Sequence, residues 1–190
     1  MYWHNSSNIL NKEFFLIPNV LSFLRIFLII PVSYFFLNDF ENSRYIIAAF
    51  IIIIWITDIA DGFIARHFNM VSETGKIIDP LADKIVVSVI ALLVYYRDLL
   101  PLWFLIVIIS RDLIILFFGL ILKKKKGKVL MSNYPGKAAV LSIGLVLLFS
   151  ILNNELFNQA ISFLILISVI LIVYSSFLYL KRFLNSFGDK

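Results

Sequence analysis

Cysteine is absent from the 190 residues, which excludes disulfides and thiolate metal sites and leaves the redox compartment unread. Charge is scarce as well. Charged side chains make up 15% of the chain against 61% hydrophobic, and the mean hydropathy is +0.95, an apolar share well above the roughly one half usual in soluble domains. A water-soluble fold this small could not hide 19 Phe and long Ile/Leu/Val runs, because its surface must be covered with polar groups. The start, MYWHNSSNILNKEFF, lacks the basic lead, short apolar core and small-residue cleavage site of a secretory signal. Residues 1–17 are therefore expected to be retained as a short interfacial helix, with Ile9, Leu10, Phe14 and Phe15 on its apolar side. Internal repeats and low-complexity linkers are also missing. The longest polar connection, Lys123 to about Gly136, is too short for a separate domain, so 1–190 reads as one domain.

What is present is a set of six apolar stretches near the length of about 20 residues that a membrane span needs. They cover approximately 19–37, 44–65, 75–96, 101–122, 136–153 and 157–180. Strands of a barrel would alternate apolar with polar residues, whereas IIAAFIIIIWI does not, and in lipid the backbone must satisfy its own polar groups. An all-α, polytopic membrane protein with six transmembrane helices is expected. The net charge of +5 would suggest nucleic acid in a soluble chain, but here it divides by loop. The connections NDFENSR, YRDLLP and NNELFN hold only Arg44 and Arg97 as cations. The alternate set carries Arg66, Lys76, Lys123 to Lys126, Lys128, Lys137, Lys181, Arg182 and Lys190, which puts both termini in the cytoplasm. The lipid bilayer, not nucleic acid, is the expected partner.

Against that apolar background stands TDIADGFIARHFNMVSETGKIIDPLADK, residues 57–84, with four aspartates. Span two ends near Arg66 and span three begins near Gly75, so Asp58 and Asp83 both sit eight residues inward, within about 12 Å of the inner surface. Asp58 and Asp61 are three apart and Asp79 and Asp83 four apart, so each pair shares a helix face and the two faces can meet. An Asp at mid-bilayer costs about 2.5–3.5 kcal/mol, hence four unpaired ones on the order of 10 kcal/mol. The nearby cations Arg66, Lys76 and Lys84 are few and peripheral. Hard divalent ions suit the site better, because Mg²⁺ or Mn²⁺ prefers carboxylate oxygen and brings substrate phosphates into its shell. Two ions would balance four negative charges, giving a two-metal site that faces the cytoplasm and accepts a phosphate-bearing ligand. Gly62, Ala65 and Gly75 leave one wall with little bulk, where a flat ligand could lie, although small residues equally serve close helix packing.

The pattern Asp58-x2-Asp61-Gly62-x2-Ala65-Arg66-x8-Gly75-x3-Asp79-x3-Asp83 resembles the complete signature of the CDP-alcohol phosphotransferases. IPNVLSFLRIFLIIP and GKIIDPLADKIVV further resemble the phosphatidylglycerophosphate synthases within that family. The resemblance implies six transmembrane helices, a homodimer, and transfer of a substituted phosphoryl group from a CDP-linked donor to an alcohol with release of CMP. It implies Asp58, Asp61 and Asp79 as metal ligands, with Asp83 beside the metals as general base on the acceptor hydroxyl. Asp58, Asp61, Gly62, Ala65, Arg66, Gly75 and Asp79 would hold the cytidine nucleotide. The donor would be CDP-diacylglycerol, and the enzyme would lie in the cytoplasmic membrane.

An anionic acceptor such as glycerol 3-phosphate requires cations near the metals. Arg111, halfway along span four, and Lys137, opening span five, are the first candidates; pairing with Asp112 and snorkelling are their competing roles. Arg25 is a third candidate, with structural anchoring as its competing role. The run KKKKGK at 123–128 is accounted for by topology and anionic lipid. His4 and His67 form no metal-ligand pattern. The Arg-Asp of ISRDLII resembles the cardiolipin synthases of the same superfamily, for which phosphatidylglycerol is the acceptor, so that acceptor stays open. A divalent-cation transporter or channel is the competing class, because clustered intramembrane carboxylates also mark ion pathways.

Overall fold

The computed structural model describes residues 17–38, 40–68, 75–126 and 134–188, and among them every regular element is an α-helix. α1 is Ile17–Asn38, α2 Ser43–His67, α3 Gly75–Tyr96, α4 Leu102–Lys126, α5 Tyr134–Leu152 and α6 Glu155–Gly188. The bounds follow the expected stretches closely, except that α6 continues to Gly188 and α4 to Lys126. The interfacial helix expected over 1–17 lies, but for Ile17, outside the described residues.

The runs of Ile that build α2 have weak intrinsic helix preference. They are helical all the same, because a chain in lipid must pair each N–H and C=O within the segment. Among the described residues five helices, α1, α2, α4, α5 and α6, are long and apolar enough to cross a membrane. α3 equals α1 in length at 22 residues but carries Lys76, Asp79, Asp83 and Lys84. Large apolar side chains stand outward along these helices, among them Phe27, Ile30, Phe117, Phe163 and Phe177, each more than half exposed, as a lipid-facing surface requires. The protein is thus a multi-pass helical membrane protein.

The chain forms two compact units, residues 1–93 and 94–190. In the first, α1 and α2 pack as a hairpin whose turn passes through Asn42 at φ 62, a left-handed conformation that Asn tolerates. Val32, Phe36, Ile47, Ile51, Ile54, Ala82 and Val86 fill its interior. In the second, α5 and α6 form a tight hairpin through Asn153, also at positive φ, closed by the stacked rings of Phe149 and Phe157 at 4.5 Å. α5 is the most enclosed of the five apolar helices, with half its residues buried. Buried Ser142, Ser168 and Ser175 return their hydroxyls to carbonyls of their own helices, which lets apolar surfaces close over them. α4 joins α6 through Phe118 on Phe183 at 4.5 Å and through the Tyr179 hydroxyl, which donates to the Ile115 carbonyl at 3.3 Å beside Gly119.

Candidate active site

The site begins on α1. Ser22 and Arg25, three residues apart and therefore on one face, are both buried, Arg25 to 1% exposure. An arginine in an apolar helix would ordinarily extend toward the interface. Arg25 turns inward instead, against the acidic faces of α2 and α3.

Its Nη1 donates to Oδ1 of Asp58 at 2.5 Å and to Oδ1 of Asp83, while Nη2 donates to Oδ2 of Asp61 and, at 3.2 Å, to Ser22 Oγ. Ser22 Oγ also bonds Asp79 Oδ1 and lies 3.0 Å from the Pro18 carbonyl. Two side chains of α1 therefore gather all four aspartates, drawn from opposite ends of the 57–84 segment. Asp61 is closed off, whereas the side chains of Asp58 and Asp83 are 51% and 44% exposed. The cluster has a dry floor at Arg25 and Asp61 and an open mouth at Asp58 and Asp83. Four carboxylates against one guanidinium leave these five groups with a formal excess of three negative charges.

Among the described residues no three acidic or histidine side chains close on one point as metal ligands; three of the carboxylates close on Arg25 and the fourth on Ser22 instead. In kind the donor set fits a hard divalent cation. Every oxygen is a carboxylate oxygen, the ligand that Mg²⁺ and Mn²⁺ prefer, and the excess charge calls for cations.

Gly62 follows Asp61 and is half-buried, and Gly75 is buried at the first residue of α3. The backbones of Ala65 and Arg66 lie in the last turns of α2, but their side chains fall outside the described residues, as does that of Lys76. His67 stacks on Phe63 with ring centroids 5.5 Å apart. Arg111 and Lys137 belong to the second unit. There Arg111 pairs with Asp112 at 2.6 Å, both buried, and its Nη2 lies 3.4 Å from the Gly136 carbonyl, next to exposed Lys137.

Two features were not legible in advance. The sequence offers Arg66, Lys76 and Lys84 as the cations nearest the aspartates and Arg25 only as a third acceptor candidate or a structural anchor, whereas the structure puts Arg25 at their centre. Ser22 was not singled out; the signal that could have found it is a Ser and an Arg at i, i+3 in an otherwise apolar helix.

Four aspartates from α2 and α3 thus meet one face of α1 at the signature spacing. The profile of the CDP-alcohol phosphatidyltransferase family matches residues 15–176. The chain belongs to this family. The match contains the whole cluster and also Arg111 and Lys137. A CDP-diacylglycerol–glycerol-3-phosphate 3-phosphatidyltransferase of Bacillus subtilis is 33% identical over 153 residues, covering 72% of this chain and 79% of that protein. A cardiolipin synthase (CMP-forming) of Rattus norvegicus is 39% identical over 101 residues, 53% of this chain and 32% of that protein. A cardiolipin synthase (CMP-forming)/mitochondrial hydrolase fusion protein of Schizosaccharomyces pombe is 32% identical over 106 residues. That match spans 56% of this chain and 17% of the fusion protein.

Proposed function

We propose that the chain is an integral membrane phospholipid synthase that transfers the phosphatidyl group of CDP-diacylglycerol to glycerol 3-phosphate, giving phosphatidylglycerophosphate and CMP. The observation that carries this reading is the convergence of Asp58, Asp61, Asp79 and Asp83 onto one face of α1, at Arg25 and Ser22, with the spacing of the family signature. The 79% coverage of the Bacillus subtilis transferase supports the acceptor.

The family is generally dependent on divalent metal. In this chain Asp58, Asp61 and Asp79, with Asp83 beside them, would hold two Mg²⁺ or Mn²⁺ ions, which when bound supply positive charge against the donor pyrophosphate and the departing CMP. The remaining work falls to the protein. Gly62, Ala65, Arg66 and Gly75 would seat the cytidine nucleotide. The acceptor oxygen attacks the phosphorus of the phosphatidyl group as the bond to the CMP oxygen breaks, and the hydroxyl proton passes to Asp83. Arg25 engages Oδ1 of Asp83, so we assign the proton transfer to the second oxygen of this half-exposed carboxylate. Arg111 and Lys137 would receive the acceptor phosphate. The site faces the cytoplasm, both termini lie on that side of six spans, residues 1–190 act as one domain, and the enzyme works as a homodimer.

A second reading is favoured by one observation, the 39% identity to rat cardiolipin synthase over 101 residues. In that case the acceptor is phosphatidylglycerol and the product cardiolipin. A cation transporter or channel gains nothing from the relatives, which are named as transferases and synthases. Purified protein in detergent, given radiolabelled CDP-diacylglycerol, Mg²⁺ and each acceptor, should release CMP, and mass spectrometry should find phosphatidylglycerophosphate. Cardiolipin as sole product would select the second reading; no CMP with any acceptor, at intact fold, would remove both.

A further inference from the structure

We propose that Arg25 is the positioning residue of the acidic cluster: its guanidinium holds the carboxylates of α2 and α3 in convergence and so prepares them for divalent ions. This rests on reading the four aspartates as ion ligands. The argument starts from repulsion, because four like charges drawn from two helices push those helices apart unless something joins them. Arg25 reaches Asp58 and Asp61 on α2 and Asp83 on α3 through two terminal nitrogens, and through Ser22 its face of α1 also meets Asp79.

The planar, always charged fork of a guanidinium can face several carboxylates at once, which a lysine ammonium cannot do with the same fixed geometry. Arg25 Nε has no hydrogen-bond partner among the described residues. The side chain is therefore held by its Nη bonds to the cluster, and the cluster in turn by it. A buried arginine is costly unless paired, so its 1% exposure is explained by the carboxylates it joins.

The test uses the full chain in detergent micelles, with Tm measured in EDTA and in saturating Mn²⁺. Arg25→Met should lower Tm in EDTA and regain most of the loss in Mn²⁺, so that its Mn²⁺-dependent shift exceeds that of wild type. Arg25→Lys keeps the charge but loses the bridge. It should fold and lose about 10²-fold in kcat, the scale of an ångström's misplacement of reacting groups. An arginine that only stabilised the bundle would lower Tm equally with and without Mn²⁺. Equal shifts in wild type and Arg25→Met, no shift in either, or wild-type kcat in Arg25→Lys would each overturn the proposal. If Arg25→Met does not fold, Arg25→Lys decides through its kcat and its own Mn²⁺ shift. Failure of wild type to release CMP would sink the proposed activity while leaving the Tm comparison to judge Arg25.

Discussion

Asp83 and Asp112 are both carboxylates paired with arginine, yet their settings assign them different tasks. The Asp83 side chain is 44% exposed at the mouth of the cluster, and Arg25 holds it through Oδ1. Asp83→Asn keeps the size and a partner for Arg25 but cannot take up a proton. It should cut CMP release by about 10²–10⁴-fold, the usual contribution of a positioned general base, while equilibrium binding of CDP-diacylglycerol stays within a few-fold of wild type; turnover at the wild-type rate would exclude Asp83 as base. Asp112 is 7% exposed and bonded to Arg111, itself 9% exposed. Removing one partner of a buried ion pair strands the other charge. Asp112→Ala should therefore cost about 3–5 kcal/mol, seen as a fall in Tm with and without Mn²⁺ alike. The contrast would separate a carboxylate that takes up a proton from one whose charge holds buried Arg111 in place.

At the scale of elements, three short connections are turned by polar residues in the left-handed region: Asn42 at φ 62, Asp98 at φ 56 and Asn153 at φ 42. These fall in NDFENSR, YRDLLP and NNELFN, the three loops poor in cations. Asn42 accepts the backbone N–H groups of Tyr45 at 3.1 Å and Ile46 at 3.3 Å, so the turn also starts α2. Asn42→Gly should leave Tm near wild type, because glycine takes this conformation freely. Asn42→Val should lose about 1–2 kcal/mol from the crowding of its Cβ against the carbonyl, measurable by thermal or denaturant unfolding in detergent; equal stability of the two variants would count against the strain. The helices themselves were readable because lipid allows few alternatives to helix for a long apolar run. Their ends were less so: α6 runs to Gly188 and α4 to Lys126, since a helix that leaves the hydrocarbon can continue as long as its residues permit. α6, at 34 residues, is about 51 Å long, well beyond the roughly 30 Å of the bilayer core.

For the whole molecule, what the sequence disclosed and what it withheld divide along one physical line. The facing of Asp58 and Asp61 toward Asp79 and Asp83 follows from helical spacing within two adjacent segments, and the four aspartates do reach a common place. That the place is Arg25 depends on how α1 is rotated against α2 and α3, a packing choice that no single helix period encodes. Orientation across the membrane is a third kind of property, set by charge asymmetry between loops and carried by no contact within the fold. The proposed topology puts the cation-poor loops on one side of the membrane and the connections bearing Arg66, Lys76 and Lys123 to Lys126 on the other. The absence of native cysteine makes this directly testable, since each introduced thiol is the only one present. Glu41→Cys and Asn154→Cys should react with a membrane-impermeant maleimide on intact cells. Lys125→Cys and Asp189→Cys should react only after permeabilisation. If the pattern is reversed, the acidic cluster opens away from the cytoplasm, where a cytosolic acceptor such as glycerol 3-phosphate could not reach it, and the proposed reaction would have to be given up together with the topology.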